Sequence, residues 1–224
     1  MADKRKHRLI DLGAETLAEA LLDLTLYSEA AENLVERLIA ASDENIERFK
    51  NKLTMLNEGP GFISWKESIH FARKLKALLK DIEAGADDPV QGLKMVAEFY
   101  KTDKAVFECC DDSSGFIGDV YRIDAVELFV GYAKRCSDKD WLVAFSLELI
   151  RDDSYCVRDS LIDCAAEYLP EPNIRSMISQ LQGLADKESE AYHKRHWLIL
   201  VESLARQIKD APLFERSEER RVGK

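Results

Sequence analysis

A chain of 224 residues, 46% hydrophobic and 33% charged with a formal net charge of −10, has the make-up of a soluble, folded, helix-rich protein. Its length suffices for one domain or one elongated array sharing a continuous core. No stretch approaches the roughly 20 apolar residues that span a bilayer, and the acidic surplus disfavours general binding to phosphate backbones.

The N-terminus carries Lys4, Arg5, Lys6 and Arg8, with no apolar run and small-residue cleavage site behind them, which argues against a secretory signal. Apolar residues then recur at Leu17, Leu21 and Leu24, predicting an amphipathic helix over about 12–27. A second helix is predicted over about 29–41, with Leu34, Val35, Leu38 and Ile39 on one face. Ser42 or Asp43 would cap a third, bearing Ile46, Phe49, Leu53 and Leu56, which Gly59-Pro60-Gly61 would end. Ser64 to Glu67 reads as a capping box, hydroxyl and carboxylate each accepting an unpaired backbone N–H. That helix continues through Ile69, Ala72, Leu75 and Leu79 to Gly85, expected as a left-handed terminator. Asp88-Pro89 pairs an N-cap with a first-turn proline and opens a helix bearing Leu93, Val96 and Tyr100. A short helix near 104–110 runs into the polar loop Asp111 to Gly115.

From Gly118 to Asp210 the sequence reads as three helix pairs, each second helix opening on an arginine: Arg122, Arg158 and Arg195, spaced 36 and 37 residues apart. Ser137 is the expected cap of a helix bearing Leu142, Phe145 and Leu149. Asp152-Asp153-Ser154 turns into a helix predicted over 157–169, which Pro170 and Pro172 would end. Ile174, Met177, Leu181 and Leu184 mark the next helix, and Trp197, Val201, Leu204 and Ile208 the last. No segment alternates with period two. The predicted fold is all-α, stacked α-hairpins forming a HEAT/TPR-like superhelix, with an N-terminal helical region at 9–115 continuous with a repeat region at 116–215.

Candidate chemistry is sparse. The stretch Asp152 to Arg158 resembles the turn of a HEAT-type repeat, in which acidic groups cap the incoming helix and the arginine bridges to an aspartate of the neighbouring hairpin. Asp111, Asp112 and Ser113 lack the alternating acids and distant glutamate of a calcium loop, so helix stop, turn and N-cap describe them more simply. They are kept, with Arg158 and Arg195, as candidate binding residues. His193 and His196 share a helix face but have no H-E-x-x-H context and no cysteine near them in sequence, so no metal ligand is assigned. The vicinal Cys109 and Cys110 face Asp111 and Asp112, which oppose a thiolate. Five cysteines without a C-x-x-C fit free thiols in a reducing, cytoplasmic setting. No phosphate loop or nucleophile elbow occurs, and no catalytic residue or cofactor is predicted.

The run from Leu12 to Leu22, the string Phe62-Ile63-Ser64-Trp65-Lys66, and Asp111 to Gly115 through Val120 are similar to those of a bacterial family catalogued only as a domain of unknown function, some of whose relatives are labelled SWIM-type zinc-finger proteins. The resemblance implies an all-helical cytoplasmic protein continuing into further helix pairs, and brings no catalytic residues. The chain lacks a zinc finger's Cys/His pattern. Residues 216–224 resemble a translated sequencing adapter and are expected to stand outside the fold, with native sequence missing after about Glu215. Loss of later repeats would leave Leu198, Val201, Ala205 and Ile208 uncovered. The predicted function is a non-enzymatic interaction module for a protein or peptide. An accessory of a nucleic-acid system, or an enzyme with its site between helices, are the alternatives.

Overall fold

A computed structural model describes residues 2–58 and 61–222. The chain is all-α. Among the described residues the only β-type pairing is an isolated parallel bridge, Ile63 to Cys110, and no helix is long and apolar enough to cross a membrane. In chain order the helices are α1 (Ala2–Ile10), α2 (Ala14–Thr25), α3 (Glu29–Ile39), α4 (Ser42–Asn57), α5 (Ser68–Gly85), α6 (Pro89–Tyr100) and α7 (Asp103–Cys109). They continue as α8 (Phe116–Asp119), a π-helical turn Val120–Asp124, α9 (Ala125–Arg135), α10 (Lys139–Arg151), α11 (Asp159–Asp163), a 3-10 turn Ala165–Glu167, α12 (Glu171–Lys187), α13 (Ala191–Gln207) and α14 (Ala211–Val222).

Sequence neighbours pack as pairs (α2 on α3, α4 on α5, α5 on α6, α12 on α13, α13 on α14), and the pairs join through α3 on α5, α6 on α9, α10 on α12 and α11 on α13. This is a stack of helices in which most contacts are made to near neighbours along the chain. One cluster of buried side chains runs from Phe49 to Leu204, through Leu75, Leu93, Phe99, Tyr121, Phe129, Leu142, Leu161 and Met177.

Several helix ends follow the predicted chemistry. Asp88 Oδ1 accepts from Gln91 N–H at 2.8 Å ahead of Pro89, and Ser28 Oγ accepts from Ala31 N–H at 3.3 Å. Others differ. The N-cap of α10 is Asp138, not Ser137, its Oδ1 accepting from Trp141 N–H at 2.9 Å. At α4 the N-cap is Ala41, whose N–H is taken by Glu44 at 2.7 Å. Ser64 forms only half of the expected box. Glu67 accepts its N–H at 3.2 Å, but the Ser64 hydroxyl donates to the same carboxylate at 2.6 Å, and α5 proper starts at Ser68. These two bonds hold the Glu67 carboxyl below its ordinary value. Gly59 and Pro60, the expected stop of α4, lie outside the described residues.

Gly85 is not a left-handed terminator. It is the last residue of α5, and it is small because a Cβ there would meet Ile46 Cγ1 and Ser42 O at 2.9 Å. The helix predicted over 157–169 is broken into α11 and the 3-10 turn. Side chains capture the carbonyls that would carry it forward: Tyr168 hydroxyl donates to Leu161 O at 2.9 Å, and Gln207 Nε2 donates to Ile162 O at 2.8 Å. Pro172 lies in the first turn of α12 and starts that helix.

The expected bare face of the last repeat is also overturned. Leu198, Val201 and Ala205 are buried and Ile208 partly so, with α14 packed along α13. Within α14, Ser217 Oγ donates to Leu198 O at 3.2 Å, and Arg221 pairs with buried Glu202 at 2.7 Å. The described part of the segment expected to stand outside the fold, residues 216–222, is therefore helical and in contact with it. Apolar side chains are instead exposed at the other end of the stack: Leu22, Leu24, Leu26 and Tyr27 after or within α2, and Leu38 and Ile39 on α3.

Tyr132 locks α9 to the turn after α5, its hydroxyl lying 3.1 Å from both Ile82 O and Ala86 O. Its ring rests on Gly92, where a Cβ would overlap the ring carbons. Helix propensity alone favours Ala over Gly by about 1 kcal/mol. The contact predicts the opposite sign: Gly92→Ala should destabilise by about 1–3 kcal/mol through overpacking, measured by urea denaturation.

Candidate functional site: a twice-used aspartate clasp and the groove beside it

Two loops use one device. In the first, Asp112 Oδ1 accepts from Ile117 N–H at 2.9 Å and Oδ2 from Gly118 N–H at 2.7 Å, with Gly115 between them at φ 76°. In the second, Asp153 Oδ1 accepts from Tyr155 N–H at 2.9 Å and Oδ2 from Arg158 N–H at 2.7 Å, with Cys156 between them at φ 52°. Asp112 and Asp153 stand 41 residues apart, as do Gly115 and Cys156. In each, an aspartate holds the opening of the next helix while the chain turns through one left-handed residue. The second loop places a cysteine where glycine is the usual occupant, a strained choice for an L-residue.

The clasp on Arg158 N–H aims its side chain inward. Arg158 is the largest fully buried side chain in the described molecule. Its Nε and Nη2 reach Asp103 Oδ2 at 3.0 and 2.8 Å, Nη1 donates to Leu149 O at 2.7 Å, and Nη2 donates to Tyr100 O at 3.1 Å. One guanidinium thus joins the end of α6, the start of α7 and α10. Burial pushes the Asp103 carboxyl up, against the downward pull of the Arg158 charge. Around it lies an aromatic cluster, with Phe99 stacked on Tyr121 at 4.9 Å and Phe107 tilted against Tyr121 and Tyr155 at 5.5 and 5.0 Å.

The arginines expected to be equivalent are not. Arg158 is the buried hub, whereas Arg122 sits inside the π-turn of a helix already under way. Arg195 is exposed on the second turn of α13 and makes no ion pair among the described residues. Of the remaining candidates, Asp112 is occupied by two backbone N–H groups. Asp111 accepts from the exposed Ser113 at 3.1 Å in a local turn. Among the described residues no hydrogen bond or ion pair joins Asp111, Asp112 and Ser113 to Arg195. Cys110 is a poor thiolate: burial, then Asp112, Cys109 and Asp111, push it up to about 11.

Sequence reasoning did not find the groove between α5 and α9. It has a volume of about 920 Å³ and is bordered by Lys76, Lys80, Arg122, Lys134 and Arg135, with Glu83, Asp124, Glu127 and Glu167 among them. The π-turn supplies Arg122, exposed Ile123 and Asp124, a register that an uninterrupted α-helix would not give. Lys76 pairs with Asp124 at 2.8 Å, Lys80 with Glu83 at 2.7 Å and Lys134 with Glu167 at 2.8 Å. Arg122 has no carboxylate partner among the described residues, and Arg135 lies over the Tyr132 ring at 5.0 Å while donating to Asp87 O at 3.3 Å. The groove also takes in Gly131, where a Cβ would meet nothing within 4 Å. A second place of chemical interest is near the second clasp, where Cys156, Asp159 and His196 bring three ligand-type atoms within 4.8 Å of one another.

A family of unknown function, DUF6880, matches residues 5–223. The chain belongs to this family. No curated protein and no solved structure matches it.

The Arg158 hub predicts an asymmetric mutational response. Arg158→Ala strands the Asp103 carboxylate in the core and should cost about 3–5 kcal/mol in chemical denaturation. Arg158→Met combined with Asp103→Asn removes both charges and should recover part of that loss.

Proposed function

We propose that this chain is a non-enzymatic, helical-repeat interaction module of the HEAT/TPR-like kind, and that the α5–α9 groove receives an acidic peptide segment of a partner protein. The supporting observation is the balance of charge there. Five cationic side chains border the groove against four acidic ones, in a chain whose formal net charge is −10. Among the described residues neither Arg122 nor Arg135 has a carboxylate partner, and Arg135 bonds a backbone carbonyl and the Tyr132 ring, so both guanidinium groups can take up a ligand carboxylate. Gly131 favours the same reading. Alanine there would suit the helix better by about 1 kcal/mol and would strike nothing, so the missing side chain leaves room rather than relieving a clash. The five free thiols fit the reducing, cytoplasmic setting in which such a module would work.

Peptides selected from a random display library on the intact chain should be enriched in Asp and Glu. Their affinity should fall at least about tenfold in Arg122→Glu, the equivalent of one lost charge-assisted contact of about 1.4 kcal/mol. Gly131→Leu, which fills the floor, should weaken binding with no loss of helical content by circular dichroism. Selected peptides without acidic enrichment, or binding indifferent to both substitutions, would contradict the reading.

A further inference from the structure

We infer that Cys156, Asp159 and His196 form a binding site for a divalent transition metal, zinc by preference, with one coordination position left to water or an external ligand. Cys156 and Asp159 stand three residues apart, in the second clasp loop and at the start of α11, and His196 comes to them from α13. All three are partly buried, and their thiol, carboxylate and imidazole atoms lie within 4.8 Å of one another, the one such cluster among the described residues. A tetrahedral zinc with bonds of about 2.0–2.3 Å needs ligand atoms roughly 3.3–3.8 Å apart, so side-chain rotations of about 1 Å complete the set. His196 Nε2 and Asp159 Oδ1 already stand at 3.3 Å.

Asp159 Oδ1 is shielded from solvent, with His196 Nε2 as its ion-pair partner. A further observation points to a ligand. Cys156 holds its left-handed backbone, at φ 52°, in the clasp position that glycine fills in the sister loop. A side chain is therefore present where the backbone disfavours one, and it faces the other two ligands. The donor set excludes hard cations: a thiolate and an imidazole select zinc, cobalt or copper over magnesium or calcium. On binding, the Cys156 S–H proton is released to solvent as the sulfur–metal bond forms. The ion would tie the clasp loop and α11 to α13.

The test is titration of the intact, reduced, metal-free chain with cobalt(II), followed by displacement with zinc. Expected are one cobalt per chain, a thiolate-to-metal charge-transfer band and intense tetrahedral visible bands, all abolished by zinc. Cys156→Ser and His196→Gln should each weaken binding more than about 100-fold, beyond the loss typical of a merely supporting residue. Cys109→Ser and His193→Gln, which alter the same residue types elsewhere, should leave it intact. Because Cys156→Gly removes the thiol while easing the left-handed backbone, it should stay folded by circular dichroism and lose the charge-transfer band. Absence of that band in the parent chain, or its survival in Cys156→Ser or Cys156→Gly, would overturn the assignment.

Discussion

A guanidinium buried in a helical stack must have its charge paired and each nitrogen hydrogen-bonded, and meeting that demand at Arg158 fixes much of this molecule. Its partners are a carboxylate from α7 and two backbone carbonyls, one at the end of α6 and one on α10. Those groups converge only if the helices approach at the correct height, so the ion pair acts as a positional gauge as much as a source of stability. Asp153 completes the arrangement by holding Arg158 N–H, which fixes the backbone from which the side chain enters the core. Burial of the aromatic cluster beside it supplies the non-directional part of the stabilisation.

Most helix positions were legible because an apolar stripe and a cap agree. The α6 helix shows this best: Asp88, Pro89, Leu93, Val96 and Tyr100 stand as the periodicity requires. The repeat unit was harder to see. Arginine at a near-constant spacing suggested one period, yet Arg122 and Arg195 are solvent-side residues with no common duty. The true recurrence is the aspartate with its left-handed partner, and it is hidden because Gly115 is replaced by Cys156 in the second copy. The break after α11 was invisible for another reason. It depends on Tyr168 and Gln207 taking carbonyls of Leu161 and Ile162, and Gln207 lies on a helix 45 residues further on.

The candidate sites were less legible than the fold. A π-turn cannot be read from apolar periodicity, and it alone gives the groove its Arg122–Asp124 edge. The Cys156–Asp159–His196 cluster joins residues from a loop and two helices, and one of its ligands is an aspartate that ordinary cysteine-histidine spacing does not flag. By contrast, the aspartates at 111 and 112 stood out in sequence for their charge, and the structure uses Asp112 to open a helix, as the turn and N-cap reading expected. Local electrostatics at a helix start and ligand recognition draw on the same residue types, and only the placement of backbone N–H groups tells them apart.

Native-state hydrogen exchange at the clasped amides of Ile117, Gly118 and Arg158 probes the clasp-and-hub arrangement without altering it. If the two aspartate clasps and the guanidinium between the helices hold the stack together, these loop amides exchange only with global unfolding, as slowly as those in the middle of α6 and α9. Exchange on the timescale of ordinary surface loops, while α6 and α9 stay protected, would show that the stack does not depend on them.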